Sequence, residues 1–177
     1  MYKYFTLLLF TITFTSQAQW DPKATSDSEV NADVSAAIEV FSSNPGLKPF
    51  FEQAHGYAVF PSIKKAGFGI GGATGDGQVF EKGNLIGNTE VTQLSIGLQF
   101  GAQAFKEIIF FKDVEALNRF TRGNFEFGAQ ASAVALTAGV AVEVEYSDGV
   151  AIFTEPNGGL MYEASIGGQK FSFNGIK

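Results

Sequence analysis

Lys65-Ala66-Gly67-Phe68-Gly69-Ile70-Gly71-Gly72-Ala73-Thr74-Gly75-Asp76-Gly77 carries the spacing G-x-G-x-x-G at Gly67, Gly69 and Gly72. In a dinucleotide fingerprint those glycines close a strand-to-helix turn, and the pyrophosphate sits against the helix N-terminus. Here the segment continues through Thr74-Gly75-Asp76-Gly77 into Val79-Phe80, which has strand character, so no helix starts where the fingerprint needs one. Glu90 stands at the distance of a ribose-binding acid but follows a polar loop. Read with period 2, Gly67, Gly69 and Gly71 share one strand face and Phe68 and Ile70 the other. The result is a bare stripe that lets another backbone, a helix or a ring come close. Gly97 and Gly101 repeat the device further on.

The rest of the chain fits a β-rich protein. Its 177 residues leave room for one domain with a core, and 21 glycines beside 19 phenylalanines point to rings packed over bare backbone. Upstream, Val30, Val34, Ala37, Ile38 and Phe41 recur at helical spacing over 26–44, where Ser26, Asp27 or Ser28 offers a cap. Asn44-Pro45 opens a second helix with Leu47, Phe50, Phe51 and Ala54 on one face and Gly56 as its stop. Tyr57-Ala58-Val59-Phe60 reads as a short strand ended by Pro61, and Thr74-Gly75-Asp76 as a hairpin turn between strands 67–73 and 77–82. Positions 91–104 alternate, with Leu94, Ile96, Leu98 and Phe100 on one side. Glu107 to Phe111 is the near-continuous apolar run of a strand covered on both faces. Asp113 caps a third helix with Val114, Leu117 and Phe120 on its apolar side, Arg119 and Arg122 in its last turn and Gly123 as its stop. Strand-like stretches then run to Phe173, separated by Ser147-Asp148-Gly149, Pro156-Asn157-Gly158 and Gly167-Gly168-Gln169. The expected fold is α+β: N-terminal helices packed on a curved, mostly antiparallel β-sheet or barrel, with one inserted helix.

The first 18 residues have an early lysine, an apolar run from Phe5 to Phe14 and small residues at Ser16 and Ala18. This is the pattern of a secretory signal peptide, cleaved after Ala18, and it leaves 19–177 as one exported domain. The apolar run is short and broken by threonines, which disfavours a transmembrane anchor. No cysteine occurs, so a disulfide framework and a lipidated cysteine are both excluded.

Charge and residue supply narrow the function. A formal net charge of −6 makes nucleic acid a poor partner. One histidine and no cysteine leave no nucleophile with its base and no structural zinc site, so no enzyme, cofactor or metal is expected. His55, beside Gly56, reads as a complement to a helix end. Glu143 and Glu145 read as a solvated strand face rather than a catalytic carboxylate pair. Binding features remain: Lys64 and Lys65 after a proline turn and beside Phe68, and the helix-end pair Arg119 and Arg122. These five are the candidate contacts for an anionic lipid surface.

Three ordered stretches carry a family likeness. Ala54-His55-Gly56-Tyr57-Ala58-Val59-Phe60-Pro61-Ser62-Ile63-Lys64-Lys65-Ala66-Gly67-Phe68-Gly69-Ile70-Gly71-Gly72 resembles the central signature of the SYLF lipid-binding domain family. Ser95-Ile96-Gly97-Leu98-Gln99-Phe100-Gly101-Ala102-Gln103 is similar to its second glycine motif, and Phe127-Gly128-Ala129-Gln130-Ala131-Ser132-Ala133-Val134-Ala135 to its third. The resemblance implies a non-enzymatic module that binds membrane phospholipids peripherally, and the leader points to the exported bacterial kind, in the periplasm or cell envelope or secreted. His55 and Ala73-Thr74 stand where the family often has basic residues, and Asn84 to Glu90 replaces its usual Trp- and Pro-containing segment. The alternative of another class is an interaction protein that docks an envelope protein partner through its glycine-rich face.

Overall fold

The computed structural model describes residues 29–128, 131–136, 144–157 and 164–176; of the strand segments 67–70 and 95–102 it describes the backbone. The leader 1–18, Ser26 to Ser28, Glu143 and the side chain of Phe68 lie outside the described residues. Helix α1 spans Ala32–Ser42 and is capped by Asn31, whose side chain accepts from the Asp33 amide at 2.8 Å. A 3-10 turn, Pro45–Leu47, leads into α2, Lys48–Gln53. Helix α2 ends at Gln53 with Ala54 as its C-cap, two residues before Gly56, because Gly56 is already the first residue of a strand.

Two strands of unusual length follow: β1, Gly56–Glu81, and β2, Asn84–Phe111. They pair antiparallel along their whole length. The turn between them is Lys82-Gly83, with φ of 49° and 81°, the left-handed pair that a two-residue hairpin requires. Thr74-Gly75-Asp76 is therefore not a turn. Thr74 faces Thr92 and Asp76 faces Glu90 in the ladder, and the chain runs straight through. Nor does Pro61 end a strand. The register shifts between Phe60 and Ile63, so the proline, which cannot donate to a ladder, sits in an irregularity of a continuing β1.

Helix α3, Val114–Thr121, forms as expected: Asp113 Oδ1 accepts from the Ala116 amide at 2.9 Å, and Gly123 follows with φ of 79°. Its buried face is Ala116, Leu117 and Phe120, whereas Val114 is exposed. Replacing Asp113 with alanine removes that amide's side-chain partner and should cost about 1 kcal/mol, read as a lower urea midpoint. Five shorter strands complete the sheet: β3 Phe125–Glu126, β4 Ser132–Ala135, β5 Val150–Pro156, β6 Ala164–Ser165 and β7 Gln169–Gly175. Along its second edge β2 pairs first with β7, over Gly87 to Gln93, and then with β5, over Phe105 to Phe111. Only the β4–β5 contact is parallel among the described pairings. The sheet is curled and mostly antiparallel, a half-barrel.

Both faces of the curl are covered. On one, Val34, Ala37 and Phe41 of α1, with Leu47 and Phe50, pack on Val59, Phe80, Ile108, Phe110 and Phe153. On the other, Leu117 and Phe120 of α3 pack on Phe60, Ile109, Phe111, Ile152 and Phe171. This explains the unbroken run Ile108 to Phe111, whose alternate members enter opposite cores. Rings carry much of the contact: Phe50 meets Phe153 at 4.9 Å edge-on, and Phe120 lies 5.0 Å from Phe111 and 5.1 Å from Phe171.

Glycine makes the curl possible at Gly56, Gly75 and Gly77. β1 folds back so that its two halves touch. A Cβ at Gly77 would stand 2.5 Å from the Val59 carbonyl oxygen, one at Gly75 2.7 Å from that of Ser62, and one at Gly56 2.5 Å from that of Phe80. The Lys82 amide donates to the His55 carbonyl at 3.0 Å, and His55 Nε2 lies 2.8 Å from Glu81 Oε1. His55 thus ties the two ends of β1 together instead of complementing a helix dipole.

Candidate functional site

The five sequence candidates fall in two places. Lys64 and Lys65 lie on β1 opposite Ala104 and Gln103, Lys64 exposed and Lys65 half-buried. Phe68 is placed by its backbone opposite Phe100, on the same limb of the hairpin. Arg119 and Arg122 are exposed on α3, and Arg119 Nη2 donates to the Asp148 carbonyl, which fixes that guanidinium to the Ser147–Val150 turn. Lys64 and Arg119 line different clefts, so the lysine corner and the arginine pair are two features rather than one basic patch.

The cleft beside Lys64, about 590 Å³, is dominated by carboxylates: Glu29, Asp33, Asp76 and Glu90 line it with that one lysine. Its floor is held by Gln78, which accepts from the Asn31 amide at 2.9 Å and donates to the Glu29 carbonyl at 2.9 Å. The field around Lys64 is therefore negative, which weakens its attraction for an anionic headgroup.

The middle of the hairpin is apolar. Between the stretch of β2 paired with β7 and the stretch paired with β5 lie residues 94–104, which among the described residues pair with β1 alone. Leu94, opposite Gly72, opens this elbow and is 84% exposed, the most exposed large apolar side chain among the described residues. Gly97, Leu98 and Gln99 form the register irregularity opposite Gly69. The elbow's sequence, Leu94 to Ala104 against Lys64 to Gly72, contains the second quoted glycine motif and the glycine-rich end of the first.

Sequence reasoning missed a polar cluster inside the curl. Glu107, Thr154, Gln169 and Gln93 are buried and face the concave core. Glu107 sits opposite Thr154 on β5, and Gln93 opposite Gln169 on β7. Gln169 Nε2 donates to Glu107 Oε2 at 3.2 Å, bridging β7 to the far half of β2. Glu107 Oε1, Thr154 Oγ1 and Gln169 Oε1 have no hydrogen-bond partner among the described residues. Burial pushes the Glu107 carboxyl up to about 8, with the Gln169 bond offsetting part of the rise. The legible signal was Glu107 itself, a lone acid heading an otherwise apolar buried strand.

Comparison with known families covers the β2 limb of this elbow and the polar cluster. A family described as "Ysc84: Las17-binding protein actin regulator" matches residues 92–174. That segment is similar to the Ysc84 (SYLF) family. Among curated proteins, "Beta cell expansion factor A" of Aeromonas veronii is 28% identical over 139 residues, covering 77% of this chain. The chain spans about half, 52%, of that relative's length. The matched segment contains β2 from Thr92 onward, α3 and the shorter strands as far as Asn174 of β7, and with them Glu107, Thr154, Gln169, Arg119 and Arg122. Lys64, Lys65 and Phe68 lie before it, on β1, which nevertheless pairs with the matched segment over Gly56 to Thr74. Among the described residues no group of three or more His, Cys, Asp or Glu is placed to hold a metal ion.

Proposed function

We propose that this is an exported, non-catalytic module that binds a lipid surface peripherally, meeting it through the elbow of the β1–β2 hairpin. The observation that carries the reading is Leu94, 84% exposed at the mouth of a hairpin limb whose sequence is apolar and glycine-rich. An exposed apolar side chain gains free energy when an interface removes it from water. Lys64 and Lys65 flank the same limb and supply charge for headgroup phosphates, but the four carboxylates beside Lys64 make apolar insertion the larger contribution. Resemblance to the SYLF family supports the lipid class of partner, and the leader-like residues 1–18 support export.

Co-sedimentation with phosphatidylcholine vesicles, with and without phosphatidylglycerol, at low and high salt tests this. Binding should persist at high salt. Leu94→Asp should weaken it about tenfold or more at unchanged melting temperature, since it adds a charge to the inserted position. Lys64→Glu with Lys65→Glu should lower only the salt-sensitive part that phosphatidylglycerol adds. Absence of binding to either vesicle overturns the reading, and undiminished binding by Leu94→Asp removes the elbow from it.

A further inference from the structure

We propose that the cleft between β3 and β5 seats one single-chain amphiphile whose head carries both a phosphate and an ammonium group. The cleft measures about 660 Å³, inside the range of roughly 300–1,000 Å³ typical of small-molecule sites. β3 and β5 do not pair, since β7 and β2 stand between them in the sheet, and the half-barrel leaves this gap on its concave side. The side chains that line it are sorted by polarity. Every buried one is apolar, among them Phe127, Val150 and Ile152 of the concave core. Every polar one is exposed: Arg119, Glu126, Glu145, Ser147 and Asp148. An apolar floor under a polar rim calls for a hydrocarbon tail and a polar head.

The charges on the rim choose the head. Arg119 Nη2 donates to the Asp148 carbonyl, so the guanidinium is held in place while its remaining N–H groups can meet a phosphate. Glu126 has its own counter-charge, Lys170 Nζ at 3.5 Å. Glu145 and Asp148 have no ion-pair partner among the described residues. The rim thus presents a guanidinium beside two unpaired carboxylates. A purely anionic head meets Arg119 but is repelled by the carboxylates, and a purely cationic head meets the reverse. A head with both charges satisfies both sides. Leu94 does not line this cleft, so the seat goes beyond the bilayer contact at the elbow and stands or falls without it.

The protein is titrated calorimetrically, without vesicles and below micelle-forming concentrations, with n-dodecylphosphocholine, n-dodecyl phosphate, n-dodecyltrimethylammonium and glycerophosphocholine. n-Dodecylphosphocholine should bind as one molecule per chain, about tenfold or more tightly than either singly charged amphiphile, and glycerophosphocholine, which has no tail, should not bind. Arg119→Gln, which keeps an amide N–H for the Asp148 carbonyl, should weaken n-dodecylphosphocholine and n-dodecyl phosphate and spare n-dodecyltrimethylammonium. Asp148→Asn, whose side chain tolerates the φ of 51° found there, should weaken n-dodecylphosphocholine and n-dodecyltrimethylammonium without weakening n-dodecyl phosphate. Leu94→Asp should change none of these affinities. Equal affinity for the three amphiphiles, no binding of n-dodecylphosphocholine, or affinities unmoved in both Arg119→Gln and Asp148→Asn overturns the seat. Loss of binding in Leu94→Asp assigns the amphiphile to the elbow and overturns the cleft, and glycerophosphocholine binding as tightly as n-dodecylphosphocholine overturns the role of the tail and the proposal with it.

Discussion

Gly77→Val should abolish cooperative folding or lower stability by at least about 3 kcal/mol, the largest loss expected from any single surface-neutral substitution here. A Cβ at Gly77 would stand 2.5 Å from the Val59 carbonyl oxygen and 2.6 and 2.9 Å from two carbons of the Phe60 ring. Overpacking a mobile side chain typically costs 1–3 kcal/mol. Here the obstacle is backbone, and Val59 cannot retreat without pulling on its ladder partner Ile108, which is itself buried. Two controls separate this from a general intolerance of glycine replacement. At Gly72 the nearest atom to a new Cβ is 3.6 Å away, so Gly72→Ala should be close to neutral. At Gly83 nothing lies within 4 Å, but φ is +81°, so Gly83→Ala should cost about 1 kcal/mol through backbone strain alone. Urea denaturation of the four proteins ranks them. A Gly77→Val protein as stable as Gly72→Ala would mean that the two halves of β1 do not touch as described.

The second large effect is on the pH dependence of stability. Glu107 in the unfolded chain titrates near 4.5, whereas in the folded protein it does so at about 8. Below the first value both states hold the proton and the group is neutral in the balance. Between the two, the unfolded chain has released its proton and the folded chain has not, so stability falls as pH rises, by ~1.4 kcal/mol per pH unit. Above about 8 both states are ionised and the fall stops, after a loss of a few kcal/mol. Glu107→Gln preserves an acceptor for Gln169 Nε2 and removes the titration. The variant should match the parent near pH 4.5 and exceed it by a few kcal/mol at pH 9, measured by urea unfolding across that range. Parallel curves for the two proteins would show that Glu107 ionises freely and that the cluster is open to water.

Much of this was legible in the chain, for local reasons. Asp113 as a cap, Gly123 as a stop and Ser147-Asp148-Gly149 as a turn all rest on hydrogen bonds or dihedral angles within a few residues, with Gly123 and Gly149 each at φ of 79°. Ile108 to Phe111 announced burial on both sides because no polar residue interrupts it. The hairpin turn shows where such reasoning stops. Thr74-Gly75-Asp76 and Lys82-Gly83 have equally suitable turn chemistry, and only the pairing of some two dozen residues on each side decides for the second.

The sequence by itself determined an α+β chain with a period-2 core, three helices and the family likeness that its glycine motifs carry, since propensity, capping and alternation act over short distances. Tertiary structure alone decided which glycines are indispensable, because closeness at Gly77 depends on Val59, eighteen positions away along a strand that folds over itself. It also decided that a carboxylate, a hydroxyl and an amide from three strands share one dry site: Glu107 and Gln169 meet only because β2 leaves one neighbour for another between them.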